Sequence, residues 1–150
     1  MLESIEGQFP VTCDQKGRIM LPARLRAVYT ESAMVVTKGY DRCLWLFSPS
    51  EWKRFAEKVV GNTAGSVKQS FAMQRHLLAP KQEIAFDKTG RLSIPQKLRE
   101  YADLSKDGAL HHINNFGVNF LELWDTAQSD AYDAQSQDDF NAGIENLARI

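Results

Sequence analysis

The chain contains two copies of one pattern, and this repetition constrains its fold more than any other feature. When the sequence is compared with itself at an offset of 73 residues, the segment 14–26 aligns with the segment 87–99. Six of the thirteen aligned positions are identical and three more are conservative exchanges, whereas chance gives about one identity. Each copy begins Asp-x-x-Gly-Arg and reaches a proline four residues later. An internal duplication of this kind predicts two similar structural units.

Each copy carries the local signals of a turn between two strands. Aspartate at the first position and glycine at the fourth suit a type I turn. In the first copy, apolar and polar residues then alternate over 18–21, as in a half-buried strand, and Pro22 ends that strand because it lacks an N–H group. A short helix over 23–29 and strands over 34–37 and 43–47 are predicted to follow. The predicted order in each copy is strand, turn, strand, helix, strand, strand.

The segment 49–80 joins the two copies and has the pattern of two helices. Residues 48–51 are Ser-Pro-Ser-Glu, which is typical of a helix start, with Pro49 and Ser50 both candidates for the cap region. One apolar face follows, made of Trp52, Phe55, Ala56 and Val59. A second helix is predicted from about residue 64 to residue 78, where Pro80 stops it.

The charge of the chain is divided unevenly along its length. The formal net charge of −1 argues against a nucleic-acid binder, because such domains usually carry a basic surplus. Residues 122–150, however, hold seven acidic groups against one basic group, whereas residues 1–121 hold 17 basic against 12 acidic. The acidic segment is also rich in Gln, Ser, Asn and Ala. We therefore expect a partly disordered acidic tail over 126–150 and a basic remainder.

Catalytic and metal-binding signatures are not found in the sequence. It has no GxSxG, HExxH, P-loop or strand-following GxGxxG motif. His111 and His112 are adjacent and would point to opposite faces of a strand, and Cys13 and Cys43 have no CxxC spacing. We expect a protein that is not an enzyme and uses no metal or cofactor. No apolar run approaches the ~20 residues of a membrane span and no secretory signal is evident, so a cytoplasmic location is expected.

The two turns hold the candidate binding residues. Lys16 and Arg18 lie two residues apart and are expected to project from one strand face beside an exposed glycine. An arginine fork matches the guanine edge in the major groove, and both side chains can neutralise phosphates. The alternative is that Arg18 and Arg91 pair with Asp14 and Asp87 and only hold the turns. The residue chemistry alone leaves both interpretations open.

Three segments together resemble the MraZ family of transcriptional regulators: 14–26, its repeat at 87–99, and Asp-Arg-Cys-Leu-Trp-Leu-Phe at 41–47. The resemblance covers about residues 5–125. It implies an α+β fold in which two tandem AbrB-like swapped-hairpin modules form one pseudo-symmetric β-barrel within a single chain. The modules would occupy 1–48 and 81–125, with a helical connector over 49–80 and the acidic tail over 126–150.

The resemblance also implies a function and a site. Members of this family bind repeated G-rich boxes in double-stranded DNA upstream of the division and cell-wall genes, as homo-oligomeric rings on the nucleoid. The DNA-binding residues carried over are Lys16 and Arg18, with Arg91 as the equivalent in the second module. Glu6 stands where the family often has a base, and Asn119 is not followed by the usual arginine. A ring-forming protein-interaction module and an AbrB-type antitoxin or RNA-binding relative remain as alternatives.

Overall fold

The computed structural model describes residues 7–62 and 64–149 and has a mixed α+β architecture with an antiparallel sheet. The strands in this part of the chain are β1 (Gln8–Thr12), β2 (Arg18–Met20), β3 (Ala33–Lys38), β4 (Leu44–Phe47), β5 (Gln82–Ala85), β6 (Arg91–Ser93), β7 (Asp107–Asn115) and β8 (Val118–Asp125). The helices are α1 (Ala23–Arg26), α2 (Pro49–Gly61), α3 (Val67–Met73, continued by a π-helical turn over Gln74–Leu78), α4 (Gln96–Tyr101), α5 (Thr126–Gln135) and α6 (Gln137–Ala148). The order predicted for each copy therefore occurs twice.

The large sheet interleaves the two copies. Its strand order is β1-β7-β8-β4-β3-β5, and every neighbouring pair is antiparallel. Exchanging the strands of the first copy with their equivalents in the second turns this order into its own reverse, so the sheet has a pseudo-twofold arrangement. The first strand of each copy pairs with the other copy: β1 with β7, and β5 with β3. The two copies therefore share one sheet rather than forming two separate ones.

The remaining strands, β2 and β6, pair with each other and form a separate two-stranded ribbon, which we call the β2–β6 ribbon. The large sheet ends at β1 and β5, so the closed barrel implied by the resemblance is not seen in the hydrogen-bond pattern. Each ribbon strand lies against the strand before it in the chain, and each is followed two residues later by a proline. Because proline cannot donate to a ladder, Pro22 and Pro95 stop both ribbon strands early.

The large sheet is covered on both faces, and β4 shows how. Every residue of this Leu-Trp-Leu-Phe strand is buried, as expected for a strand with apolar layers on either side. Leu44 and Leu46 belong to the cluster that contains Ile19 and Leu92 of the ribbon. The ribbon therefore rests on the sheet through its inward side chains and leaves its other face outward.

The opposite face of the sheet carries an aromatic cluster under helix α2. Trp45 and Phe47 are both buried in this cluster. The ring of Phe47 stacks on that of Phe55 with their centroids 4.9 Å apart. The helix begins as predicted, but its cap is Ser48, whose side-chain oxygen accepts a hydrogen bond from the backbone N–H of Glu51.

The second connector helix begins at Val67, three residues later than expected. Ser66 and Gln69 form a reciprocal capping box, in which each side chain accepts a hydrogen bond from the other residue's backbone N–H. This pair satisfies two N–H groups that a helix end leaves without partners, and it fixes the start of the helix. The helix ends just before Pro80, as predicted.

The segment expected to be a partly disordered acidic tail is helical over almost its whole length. Asp125 caps α5, and Tyr132 of that helix packs on Trp124 of β8, with ring centroids 5.1 Å apart. Its polar composition led to the expectation of disorder, but a single aromatic contact and a buried Ser129 anchor the first helix. Helix α6 has no buried residue. No helix within 7–62 and 64–149 has the length and apolar character needed to cross a membrane.

Candidate nucleic-acid interface

The first Asp-x-x-Gly-Arg turn is built around the carboxylate of Asp14. One of its oxygens accepts hydrogen bonds from the backbone N–H groups of Lys16 and Arg18, both at 2.9 Å. The other oxygen accepts a hydrogen bond from Nε of Arg18 at 2.8 Å. The backbone N–H of Gly17 donates to the carbonyl of Asp14 at 2.9 Å and closes the turn. The spacing of the motif is therefore explained by one carboxylate that serves three donors.

The second turn repeats this geometry. The carboxylate of Asp87 accepts from the backbone N–H groups of Thr89 and Arg91 and from Nε of Arg91, each at 2.9 Å. The hydroxyl of Thr89 adds a further hydrogen bond to the same carboxylate at 2.9 Å. Thr89 occupies the position of Lys16 in the first turn. The third position of the first turn is therefore a lysine. The third position of the second turn is a threonine, whose neutral hydroxyl is hydrogen-bonded to the turn aspartate.

This geometry is compatible with both roles considered for the turn arginines, an ion pair that holds the turn and a contact to nucleic acid. Arg18 and Arg91 do form the ion pairs with Asp14 and Asp87 that the sequence left as an alternative. Each pair uses Nε, so the two Nη nitrogens of the guanidinium lie outside the bond to the aspartate. The side chains of Arg18 and Arg91 remain 27% and 33% exposed. The aspartate holds each arginine in place without consuming the fork that a nucleic acid would contact.

The β2–β6 ribbon brings the two arginines onto one surface. In its antiparallel register Arg18 lies opposite Ser93, and Arg91 lies opposite Met20. Side chains alternate along a strand, and the residues between these, Ile19 and Leu92, are buried. The outer face of the ribbon therefore carries Arg18, Met20, Arg91 and Ser93. From ordinary strand spacings, the two arginine Cα atoms are separated diagonally by about 8 Å.

Two details differ from the expected pair of cations beside an exposed glycine. Lys16 lies in the turn rather than on the strand, which begins at Arg18, so the two cations do not share a strand face. Gly17 is buried rather than exposed, because Arg99 of helix α4 lies over it: a Cβ built on Gly17 would be 2.5 Å from Nε of Arg99. Gly90 in the second turn has open space at the same position.

Sequence reasoning did not include Arg99, Met20 or Ser93 in the site. Arg99 donates from Nε to the carbonyl of Ile94 at 2.9 Å and thereby ties helix α4 to the end of the ribbon. Met20, which lies opposite Arg91 in the ribbon, is 51% exposed. The sequence did contain a signal for Met20 and Ser93. Side chains alternate along a strand, so the residue two positions after each turn arginine lies on the same face as that arginine.

Cys13 directly precedes Asp14 of the first turn, whereas Cys43 precedes β4, and His111 and His112 lie in β7. The imidazole Nε2 of His111 is 3.3 Å from the hydroxyl of Ser129, and the ring of His112 meets Tyr29 edge to face. Cys13 and Cys43 are both buried thiols. Within 7–62 and 64–149 no three or more metal-ligating side chains cluster. Glu6, the acid at a position that is often basic in the family, lies outside the residues that the structure describes.

The turn carboxyls predict a specific dependence of stability on pH. The backbone N–H of Arg18 is the largest cause of a lowered pKa at Asp14, and that of Arg91 plays the same part for the pKa of Asp87. Because the unfolded pKa is about 3.9, this stabilisation is fully present above pH about 4 and is lost as the pH falls through the lower folded pKa. We expect Asp87→Asn to lower the unfolding free energy at pH 7 by an amount that shrinks on acidification. Urea titrations between pH 7 and pH 2.5 measure this difference, and a constant difference would contradict the assignment.

Comparison with known proteins agrees with this architecture. A family model described as "MraZ protein, putative antitoxin-like" matches the chain twice, over residues 5–72 and over residues 77–149. Three relatives named "Transcriptional regulator MraZ" are similar over nearly the whole chain. The relative from Treponema denticola is 44% identical over 144 residues, covering 96% of this chain and 97% of its own length.

The other two relatives come from Treponema pallidum and Pediococcus pentosaceus. That from Treponema pallidum is 40% identical over 141 residues, covering 94% of this chain and 92% of its own length. That from Pediococcus pentosaceus is 33% identical over 141 residues, with 94% of each chain covered. The fold and the two turns define a protein of duplicated, interleaved β modules with an arginine-bearing ribbon. The two family matches, each of which contains one of the two copies, and these relatives show that the chain belongs to the MraZ family.

Proposed function

We propose that this protein is a transcriptional regulator that binds double-stranded DNA through the outer face of the β2–β6 ribbon and the first turn. One observation carries the proposal: Arg18 and Arg91 stand on one ribbon face, and each is held at Nε by an aspartate, so the Nη nitrogens of both guanidinium groups lie outside that bond. A two-stranded ribbon is narrow enough to enter a major groove of about 12 Å. The names of the relatives, which are regulators of transcription, support the same conclusion.

In this proposal the first turn contributes more than the second. Lys16 is exposed and lies two residues before Arg18, whereas the exposed lysine of the second turn, Lys88, stands at the position of Gln15, three residues before Arg91. Thr89, the counterpart of Lys16, has its hydroxyl bound to Asp87. DNA contacts are therefore assigned to Lys16 and Arg18, with Arg91 as an additional contact.

We also propose the finer features implied by the family resemblance. Several protomers form a closed ring, and each presents its ribbon to one of a series of repeated G-rich boxes upstream of the division and cell-wall genes. Each protomer then closes its strands into a barrel, and the protein works in the cytoplasm on the nucleoid. A ring explains how a chain of net charge −1 can bind DNA, since several weak contacts acting at once raise the overall affinity.

A salt titration of DNA binding tests the proposed function. The probe is the duplex upstream of the protein's own gene, and the comparison is a scrambled duplex of the same length. If each of ~4 protomers neutralises ~2 phosphates, a plot of log K against log salt should have a slope of roughly −7. A gel-shift or fluorescence-anisotropy series from 50 to 300 mM salt measures the slope. Absence of binding to either duplex at the lowest salt would refute the proposal.

The second candidate is an antitoxin that acts by binding a partner protein. The description of the family model as antitoxin-like favours it, and so does the exposed apolar face of helix α6. On that face Phe140, Ile144 and Leu147 are 61%, 51% and 66% exposed. A protein that only binds a partner through α6 has no need of the ribbon arginines and no steep salt slope on DNA. The same titration therefore separates the two candidates.

A further inference from the structure

A cleft next to the ribbon carries an excess of positive charge. It has a volume of about 790 Å³ and lies where the turn between β3 and β4 meets helix α4. Lys38 and Arg42 line it from the β3–β4 side, and Lys97, Glu100 and Tyr101 line it from the helix. Three cations thus face one acid across an open cleft. An anionic group is the ligand that such a surface attracts.

Two of these cations are held against a single aromatic ring. Nζ of Lys38 lies 5.1 Å and Cζ of Arg42 lies 5.4 Å from the centre of the Tyr101 ring. The hydroxyl of Tyr101 donates to the carbonyl of Gly39 at 2.9 Å, which fixes the ring beneath the turn. Cation–π contacts favour each position, so both positive charges are kept beside the same ring at the cleft.

The backbone of the turn is strained at the residue that supplies one of the cations. Asp41 and Arg42 have φ angles of 63° and 70°, in the left-handed region that glycine adopts more easily. Aspartate is among the residues that tolerate this region, whereas a long side chain such as arginine is uncommon there. Strain of this kind is concentrated at sites that clamp ligands. A glycine at position 42 would relieve the strain, but it would remove the guanidinium.

The cleft extends the cationic surface from only one end of the ribbon. Ser93 lies opposite Arg18 in the ribbon, and Lys97 follows Ser93 by four residues. Another cleft lies at the other end of the ribbon, where the chain continues after Met20. Among the residues described there, the acidic Asp107 lines this cleft and no lysine or arginine does. The basic cleft therefore adjoins the end of the ribbon that also holds Arg18 and the first turn.

We propose that Lys38, Arg42 and Lys97 bind a phosphate of the DNA backbone beside the box that the ribbon contacts. This inference rests on the proposed function and adds to it a second, sequence-independent contact. Phosphate contacts fix the position of a protein on the duplex, whereas contacts to base edges specify the sequence. The cleft sets the register of the ribbon on DNA, and the ribbon provides the discrimination.

The double variant Lys38→Gln/Arg42→Gln tests this assignment in the full-length protein. We expect about tenfold weaker binding to both the upstream and the scrambled duplex at 150 mM salt, with the ratio of the two affinities unchanged. Because the cleft holds one phosphate in each protomer, the magnitude of the salt slope should fall by about 0.9 for each bound protomer. The control is Lys53→Gln/Lys68→Gln, which removes the same charge from exposed positions on α2 and α3 and should have a much smaller effect. Arg42→Gly is a second test, because it removes one cation while relieving the backbone.

The outcomes distinguish failure of this inference from failure of the proposed function. If the intact protein binds no duplex, the proposed function fails and the cleft assignment fails with it. If the intact protein binds and the cleft variants bind equally well, only the cleft assignment is overturned. Inorganic phosphate provides a further test. Phosphate could raise the melting temperature of the intact protein and not that of the Lys38→Gln/Arg42→Gln variant, while both bind the duplex equally well. In that case the cleft takes a free phosphate and the DNA contact is overturned. Weaker binding by the cleft variants and not by the control supports the contact.

Discussion

Replacement of Lys16 and Arg18 by alanine should reduce the affinity for the upstream duplex by about 100-fold or more. A bidentate arginine contact to guanine contributes about 1–3 kcal/mol of discrimination, and a ring loses that contact in every bound protomer. The affinity for a scrambled duplex should fall less, because it depends mainly on phosphate contacts. Anisotropy titrations with both duplexes measure the two losses. Equal binding by the variant and the intact protein would refute the assignment of these residues.

Two further variants make this result specific to the arginine fork. Arg18→Lys keeps the charge but not the planar pair of Nη donors, so it should retain binding to scrambled DNA and lose preference for the upstream duplex. Arg91→Ala should weaken binding less than Arg18→Ala, because the second turn has Thr89 in place of a lysine. Since Arg18 also pairs with Asp14, the unfolding free energy of each variant is measured alongside its binding.

The second large effect concerns stability, and the two turn glycines give a matched comparison. Gly17 and Gly90 have φ angles of 81° and 85°, so an alanine at either position adopts a strained left-handed conformation that costs about 1–2 kcal/mol. At Gly90 the strain is the whole cost, because a Cβ there has open space. At Gly17 a Cβ would also displace Arg99 and threaten its hydrogen bond to the carbonyl of Ile94. Gly17→Ala should therefore cost about 3 kcal/mol in total.

Urea unfolding of both alanine variants measures this difference. The double variant Gly17→Ala/Arg99→Ala completes a mutant cycle, in which removal of Arg99 should reduce the additional cost of the Gly17 substitution. The difference between the two glycines is the test of the tertiary contact, because their local sequences and φ angles are nearly the same. Equal losses of stability at the two positions would show that Arg99 does not matter to the first turn.

Much of the secondary structure could be predicted from local sequence because its causes are local. The turn signals, the alternation in β2, the prolines that stop the ribbon strands and the serine-capped helix α2 all lie within a few residues of what they determine. The start of α3 was misplaced because Ser66 and Gln69 cap it by a reciprocal pair that competes with other cap candidates nearby. The tail was expected to be partly disordered because its composition is polar. Composition does not reveal a specific contact such as the one between Tyr132 and Trp124, which anchors the first helix of the tail.

The sequence identified only part of the candidate site, because the rest of the site depends on contacts between distant segments. The motif indicated Lys16, Arg18 and Arg91, and the family resemblance favoured the role of Arg18 in DNA binding. Neither showed that Arg18 and Arg91 stand on one face, since that depends on pairing between strands 73 residues apart. The cationic cleft was not found either, because Lys38, Arg42 and Lys97 come from two distant segments.

The sequence by itself determined that the chain is a duplication with an aspartate and an arginine four residues apart in each copy, because that pattern is local. The tertiary structure decided how the copies combine: they exchange strands within one sheet, and they place β2 and β6 together as an outward ribbon. It also decided that the turns are unequal, since Arg99 covers Gly17 while Gly90 stays open. Those outcomes depend on packing between residues far apart in the chain, which no local pattern encodes.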